Sequence, residues 1–328
     1  MDKGKLLVDP TARHAIGVDV GGTKINAGIV NDRGEIACFR SLPTLAGQCR
    51  VEDRIGTAIS EVLQWMSDQD TEVPIRGIGI GTAGQVHWQT GTIRFASDLL
   101  PGYTGTPLKA IIERQFGVPV YVDNDVNVLA LSEIYAGPAS DVRHMICLAL
   151  GTGVGGVIVD NGTIVRGQWG GAGEIGHMSV DYRGRTCICG GVGCLEEYAS
   201  GTSISKRMNA LLSAEAADGA GRDGPIDTRE TVKRWLQGDR IAELVMDEAC
   251  EALGTAISSL SHLFNPELVV IGGGLADVGE PLLRRIEERT RKKTMPSFYP
   301  ERGIRLAANG NRSAMIGAAM QLWAYESK

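Results

Sequence analysis

No stretch of this 328-residue chain stays apolar long enough to cross a bilayer as a helix. Its amino terminus, M-D-K-G-K, lacks the apolar segment of a secretory leader. Both absences point to the cytoplasm. A basic surplus is missing too. With 33 Lys and Arg against 39 Asp and Glu, the net charge of -6 argues against nucleic acid or an anionic membrane as the main partner. There is no G-x-x-x-x-G-K-[ST] phosphate loop. Disulfides are not expected either. Seven cysteines is an odd number, and Cys38, Cys49, Cys147 and Cys250 are scattered in apolar or mixed surroundings, as reduced packing residues would be.

What is present is glycine, 44 residues of it, much of it clustered, and a full complement of core formers, 43% hydrophobic. The length suffices for two compact domains or one large one. The most specific cluster is His177 with Cys187, Cys189 and Cys194, in G-E-I-G-H-M-S-V-D-Y-R-G-R-T-C-I-C-G-G-V-G-C-L-E. Three thiols and one imidazole in so short a segment can close a tetrahedral shell around zinc. A shell of four protein ligands has no position for water, which makes such a zinc structural and disfavours a zinc hydrolase. Glu174 and Glu196 flank the cluster, so a metal knot would hold two carboxylates in fixed places, as a polar ligand site requires.

The pattern along the chain alternates strands and helices. H-A-I-G-V-D-V-G-G-T-K-I-N-A-G-I-V from His14 to Val30 reads as a glycine hairpin. Strand I-A-C-F-R follows, then a helix from Glu52 to Met66 with Ile55, Ile59, Leu63 and Met66 on one face, and a buried strand running into G-T-A-G. A helix from Leu108 to Phe116 precedes a short strand, Val118 to Val122, which delivers D-N-D-V-N to the helix from Val126 to Tyr135. Met145 to Leu150, G-T-G-V-G-G and V-I-V-D repeat the hairpin theme. Residues 215–228 read as a polar loop; Asp239 to Phe264, Pro281 to Arg291 and Ser313 to Tyr325 read as helices, and Leu268 to Ile271 as a buried strand ending in G-G-G. Two similar hairpins, one in each half, suggest a duplicated α/β domain with a cleft between the copies and ligands at the carboxyl edges of the sheets.

Each glycine segment alone is an ordinary turn. As a pair, Asp19, Gly21, Gly22, Thr23 and Lys24 in one half, and Gly151, Thr152, Gly153 and Gly155 in the other, could clamp a polyphosphate through backbone N–H groups, with Asp19 available to Mg²⁺. Gly273 and Gly274 would let a helix start close to a flat ligand such as adenine. In D-N-D-V-N, Asp125 read alone is a helix N-cap, but two carboxylates and two amides on one turn also suit sugar hydroxyls, with one carboxylate free to act as a base.

Taken in order, D-V-G-G-T-K, N-D-V-N, G-T-G-V-G-G, E-I-G-H, C-I-C-G-G-V-G-C-L-E and I-G-G-G resemble the ROK family of sugar kinases, in the actin-like ATPase superfamily, over nearly the whole chain. The resemblance implies two actin-like, ribonuclease H-like α/β domains, drawn as 1–124 plus 312–328 and 125–311. It implies Asp125 as catalytic base and a sugar site formed by Asn124, Glu174, His177 and Glu196, with Gly84 of the G-T-A-G loop. It implies zinc on His177, Cys187, Cys189 and Cys194, and phosphate loops at Gly21 to Lys24 and Gly151 to Gly156. ATP is the implied donor, and a homodimer or homotetramer the implied assembly. The expected activity is phosphorylation of the 6-hydroxyl of a hexose or N-acylhexosamine, glucose or N-acetylmannosamine first. Two rivals remain: a sugar-responsive ROK-type regulator, against which the short segment before Asp19 and the negative charge count, and a non-catalytic sugar-binding protein, against which Asp125 and both hairpins count. Ala83 stands where many members have proline, and N-D-V-N replaces the commoner N-D-A-N.

Overall fold

The computed structural model describes residues 8–69, 73–215 and 224–325. Its elements begin with β1 (His14–Val20), β2 (Lys24–Asn31), β3 (Ile36–Pro43), α1 (Val51–Asp68), β4 (Ile75–Thr82), β5 (Gln85–His87) and β6 (Thr92–Phe95). They continue with α2 (Leu108–Phe116), β7 (Val120–Asn124), α3 (Asp125–Ala136), β8 (Met145–Leu150), β9 (Val154–Asp160) and β10 (Thr163–Ile164). The remainder are α4 (Glu196–Ala199), α5 (Gly201–Glu215), α6 (Thr228–Leu236), α7 (Arg240–Phe264), β11 (Leu268–Gly272), α8 (Glu280–Lys293), β12 (Ile304–Leu306) and α9 (Ser313–Ala324). Among the described residues no helix is long and apolar enough to cross a membrane.

The chain forms two compact α/β units. One comprises residues 1–142, 164–172 and 311–328; the other comprises 143–163 and 173–310. Helix α3, expected to open the second part of the chain, therefore lies with the first unit.

The first unit is built on a mixed sheet of order β3-β2-β1-β4-β7. The β1–β2 hairpin pairs antiparallel with Val20 opposite Ile25, and β1, β4 and β7 run parallel. Alternating Ile16, Val18, Ile25, Ala27, Ile78 and Ile80 form its core, with Ile55, Ile59, Val62 and Met66 of α1 buried alongside. Leu63, expected on that face, is only half-buried, because Val62 takes the central position. Helices α3 and α9 pack on each other and on the sheet. The approach is close enough that a Cβ on Gly79 would lie 1.7 Å from the Ala318 carbonyl oxygen, and one on Gly317 would lie 1.6 Å from that of Val128. Only glycine permits these contacts.

The second unit repeats the plan, with order β10-β9-β8-β11-β12, an antiparallel β8–β9 hairpin and parallel β8, β11 and β12. Every residue of β11 is buried, as in a strand covered on both faces. Helices α5 and α6 were not expected. The polar run of α6 buries only Thr231 and Trp235, and its start is marked by Asp227, whose side chain accepts from the Glu230 N–H. Of the expected loop at 215–228, residues 216–223 lie outside the described residues, while Glu215 ends α5 and Thr228 starts α6. The G-T-G-V-G-G segment is a turn only over Gly151 to Gly153. Gly155 and Gly156 already belong to β9, opposite Ala149 and Leu148.

Candidate active site and metal centre

In the first unit, β7 carries Asp123 and Asn124 to the start of α3. The N-cap is Asn124, not Asp125: its Oδ1 accepts from the N–H groups of Val126 at 2.9 Å and Asn127 at 3.4 Å. Asparagine caps well because its short side chain reaches those unpaired donors. The Asn124 amide donates to the Gly84 carbonyl oxygen at 3.0 Å, which ties the G-T-A-G loop to the turn. Asp125 is the first helical residue, and its Oδ1 accepts from the Val126 N–H at 3.0 Å.

Asp125 keeps part of its surface open to a water-sized molecule, yet its carboxyl is densely surrounded. Burial pushes it up to about 7, with the Asp19 carboxylate adding repulsion and the bond from Val126 N–H pulling the other way. Asp19, on β1, is itself pushed up by burial and held partly down by the Asn26 amide, which donates to its Oδ2 at 3.0 Å, and by the charge of Lys24. The hairpin turn after Asp19 closes with Gly21 N–H donating to the Lys24 carbonyl oxygen at 3.0 Å, and Thr44 hydroxyl donates to the Gly21 carbonyl oxygen at 2.7 Å.

Sequence reasoning missed the neighbours of this turn. Asp123 is 1% exposed as a whole residue. Its Oδ1 accepts from the Asn124 N–H, the Asn127 amide and Arg166 Nη1, each at 2.8 Å. Its Oδ2 accepts from Arg166 Nη2 at 2.6 Å and from the Tyr325 hydroxyl at 2.8 Å. No local signal marks Arg166 or Tyr325, which lie 43 and 202 residues away in sequence.

In the second unit the four candidate metal ligands converge. The ligand atoms of His177, Cys187, Cys189 and Cys194 all lie within 4.8 Å of one another. Cys187 Sγ is 3.7 Å from His177 Nδ1, and Cys189 Sγ is 3.5 Å from Cys194 Sγ. Zinc–sulfur bonds of about 2.3 Å at tetrahedral angles put donor atoms about 3.7 Å apart. Donor set and spacing therefore fit zinc. An ion there would draw together the Glu174–His177 segment and the cysteine loop.

The carboxylates flanking the cluster differ in role. Glu174 is exposed, just before the short turn holding His177. That turn lies directly on β9: a Cβ on Gly176 would fall 2.0 Å from the Val154 carbonyl oxygen. Glu196, at the start of α4, turns toward the second hairpin, where its Oε2 accepts from the Val154 N–H at 2.9 Å. The carbonyl oxygens of Gly151 and Thr152 accept from Gly201 N–H at 2.8 Å and from the Thr202 hydroxyl at 2.8 Å, so the turn is fixed by the first residues of α5. Thr152 is exposed and Gly153 half-buried. Gly273 follows β11 with φ +83°, and its missing Cβ leaves room for the Leu150 backbone nitrogen, which would otherwise be 2.6 Å away. Gly274 starts a short turn and faces open space.

The structure thus brings Asn124, Asp125, Gly84 and the Asp19–Lys24 hairpin into one unit, and Glu174, His177, Glu196 and the Gly151–Gly153 turn into the other. A 34% identical relative, the glucokinase of Halalkalibacterium halodurans, aligns over 312 residues, 93% of each chain. The xylose repressor of Caldicellulosiruptor bescii is 27% identical over 95% of this chain and 78% of its own. Among solved structures, a ROK family glucokinase from Streptomyces griseus in complex with glucose and AMPPNP superposes with a TM-score of 0.80 at 31% identity, covering 93% of this chain and 98% of that one. The ROK family model matches residues 15–325. With the matched span running from the first strand to the last helix, the chain belongs to the ROK family.

Proposed function

We propose that this protein transfers the γ-phosphoryl group of ATP to the 6-hydroxyl of a hexose, glucose before N-acetylmannosamine. The observation that carries the proposal is Asp125: a carboxyl raised to about 7 by burial and by Asp19, at the mouth of β7, beside the Asn124 amide. As O6 forms its bond to the γ-phosphorus, its proton passes to Asp125, the bond from that phosphorus to the β,γ-bridging oxygen breaks, and ADP leaves. A base with a pKa near neutrality suits this proton, which becomes acidic only as the new bond forms.

The remaining residues position and neutralise. Gly21 and Gly151 N–H groups close their own turns, which leaves those of Gly22 and Thr23 in the first and Thr152 and Gly153 in the second to meet phosphate oxygens, and the carbonyl groups of Gly151 and Thr152 are occupied by α5. Asp19 and Asp125 repel each other, so Asp19 is suited to hold a divalent cation; Mg²⁺ there would offset phosphate charge. Asn124 has one amide hydrogen engaged by Gly84 and one for a sugar hydroxyl. Glu174 and His177 are read as further sugar contacts and Glu196 as a contact that also braces the hairpin. Glucose is placed first because relatives at 34% identity are glucokinases. We further place the protein in the cytoplasm as a homo-oligomer.

An ADP-release assay with ATP, Mg²⁺ and a panel of glucose, mannose, N-acetylmannosamine and N-acetylglucosamine tests the reading. Turnover with glucose at least tenfold above the others is expected (~1.4 kcal/mol of discrimination). Sugar binding without ADP release would instead favour a regulator, as the xylose repressor relative suggests.

A further inference from the structure

The group of residues around Asp123 is unexplained by the proposed chemistry. A buried ion pair is a poor source of stability, because desolvating both charges offsets most of their attraction. Here the side chains of Arg166 and Asp123 are 12% and 2% exposed, and five hydrogen bonds end on one carboxylate. What this arrangement does achieve is positional. Through Oδ1, Asp123 grips Asn124 and Asn127, the residues on either side of Asp125–Val126. Arg166 is clamped in turn, its guanidinium 5.2 Å from the ring centres of both Trp88 and Tyr325 and hydrogen-bonded to the Tyr325 hydroxyl. A planar fork held against two neighbouring rings presents two N–H groups in a fixed plane, which lysine cannot do.

We infer that Arg166 and Tyr325, acting through Asp123, are positioning residues that hold the Asn124–Asp125 turn in its reactive geometry. The inference rests on the kinase reading and deepens it. The groups facing Asp125 are Asp19 from β1, with Lys24 of β2 beside it, Asn124 from β7 and the Val126 N–H of α3. Asp123, two residues away, is ion-paired with Arg166, so removing the guanidinium charge would leave a second unpaired carboxylate close to Asp125.

Three variants test this. Tyr325→Phe removes one donor, Arg166→Lys keeps the charge but not the fork, and Arg166→Gln removes the charge. Tyr325→Phe and Arg166→Lys are expected to lower kcat about tenfold or more while hexose KM changes less than about threefold, since a misplaced base affects the transition state and not ground-state binding. Arg166→Gln is expected to move the acid limb of kcat/KM upward by about one pH unit, and Arg166→Lys to leave it in place. Lowered Tm with unchanged kcat per folded molecule and an unmoved acid limb would assign the network to stability alone and overturn the inference. Should the wild-type protein phosphorylate no hexose, the kinase reading fails separately. The Asp125 carboxyl titration, followed by NMR with carboxyl-¹³C aspartate, then decides: an unshifted midpoint in Arg166→Gln overturns the charge coupling. If Arg166→Gln does not fold, Tyr325→Phe and Arg166→Lys carry the test.

Discussion

The two segments that bear the candidate site carboxylates are held by opposite means. In the first unit, the Asn124–Asp125 turn is fixed by hydrogen bonds converging on a buried, neutralised Asp123. In the second, the segments bearing Glu174 and Glu196 are joined through four donor atoms spaced for a metal ion. A network of polar side chains sets both where a carboxyl sits and how readily it ionises. A closed metal shell sets position only, because its charge is spent on its own thiolates. On the proposed function, the base is built the first way and the sugar contacts the second, which matches what each would have to do.

The largest effect is expected at Asp125. Asp125→Asn is expected to lower kcat by about a thousandfold with hexose affinity, measured by calorimetry, nearly unchanged; turnover retained within about tenfold would take the base away from this turn. The next largest effect falls on the metal. Cys187→Ser is expected to lose bound zinc by atomic spectroscopy, to lower Tm, and to weaken hexose binding about tenfold. The pH profile should be left alone; a shifted acid limb would show that the metal tunes the base after all.

A pH series sharpens the same contrast. The acid limb of kcat/KM should have its midpoint at about 7, the value to which burial and Asp19 raise Asp125. The sign for stability follows from the same shift. The folded pKa lies above the unfolded one, so the contribution of Asp125 to stability is intact below about 4 and lost as pH rises through about 7. Asp125→Asn should therefore gain Tm over the wild type as pH climbs from 4 to 8, and a flat difference would mean the carboxyl is not perturbed. The smallest effect is expected at Glu196→Gln. Loss of a charged acceptor for the Val154 N–H costs about 1–2 kcal/mol; an unchanged Tm would mean that the second hairpin does not depend on Glu196.

Sequence reading reached what is encoded locally. The β1–β2 hairpin was legible from glycine between β-branched runs, the metal cluster from spacing alone, and α7 as a long helical stretch, whose start the structure shows to be capped by the Asp239 side chain. Short elements with weak patterns were not: the β5–β6 hairpin has three and four residues per strand, and α6 buries two side chains. The N-cap was placed one residue late, since Asn124 and Asp125 are both good caps and only the backbone distinguishes them. Arg166 was invisible because its partner, Asp123, is made adjacent by folding and not by the chain.

The first unit is assembled from three pieces of chain, the last of them residues 311–328. Helix α9 covers the sheet at Gly17 and Gly79, and Tyr325 completes the bonds to Asp123. During synthesis, which runs from the amino terminus, this unit cannot finish folding until the ribosome has delivered almost the whole protein, including every residue of the second unit. The β1–β4 sheet must wait with an apolar face uncovered. A stop codon shortly before α9 would thus leave the second unit with all its residues and make the first, though some nine-tenths translated, the one exposed to chaperones and proteases.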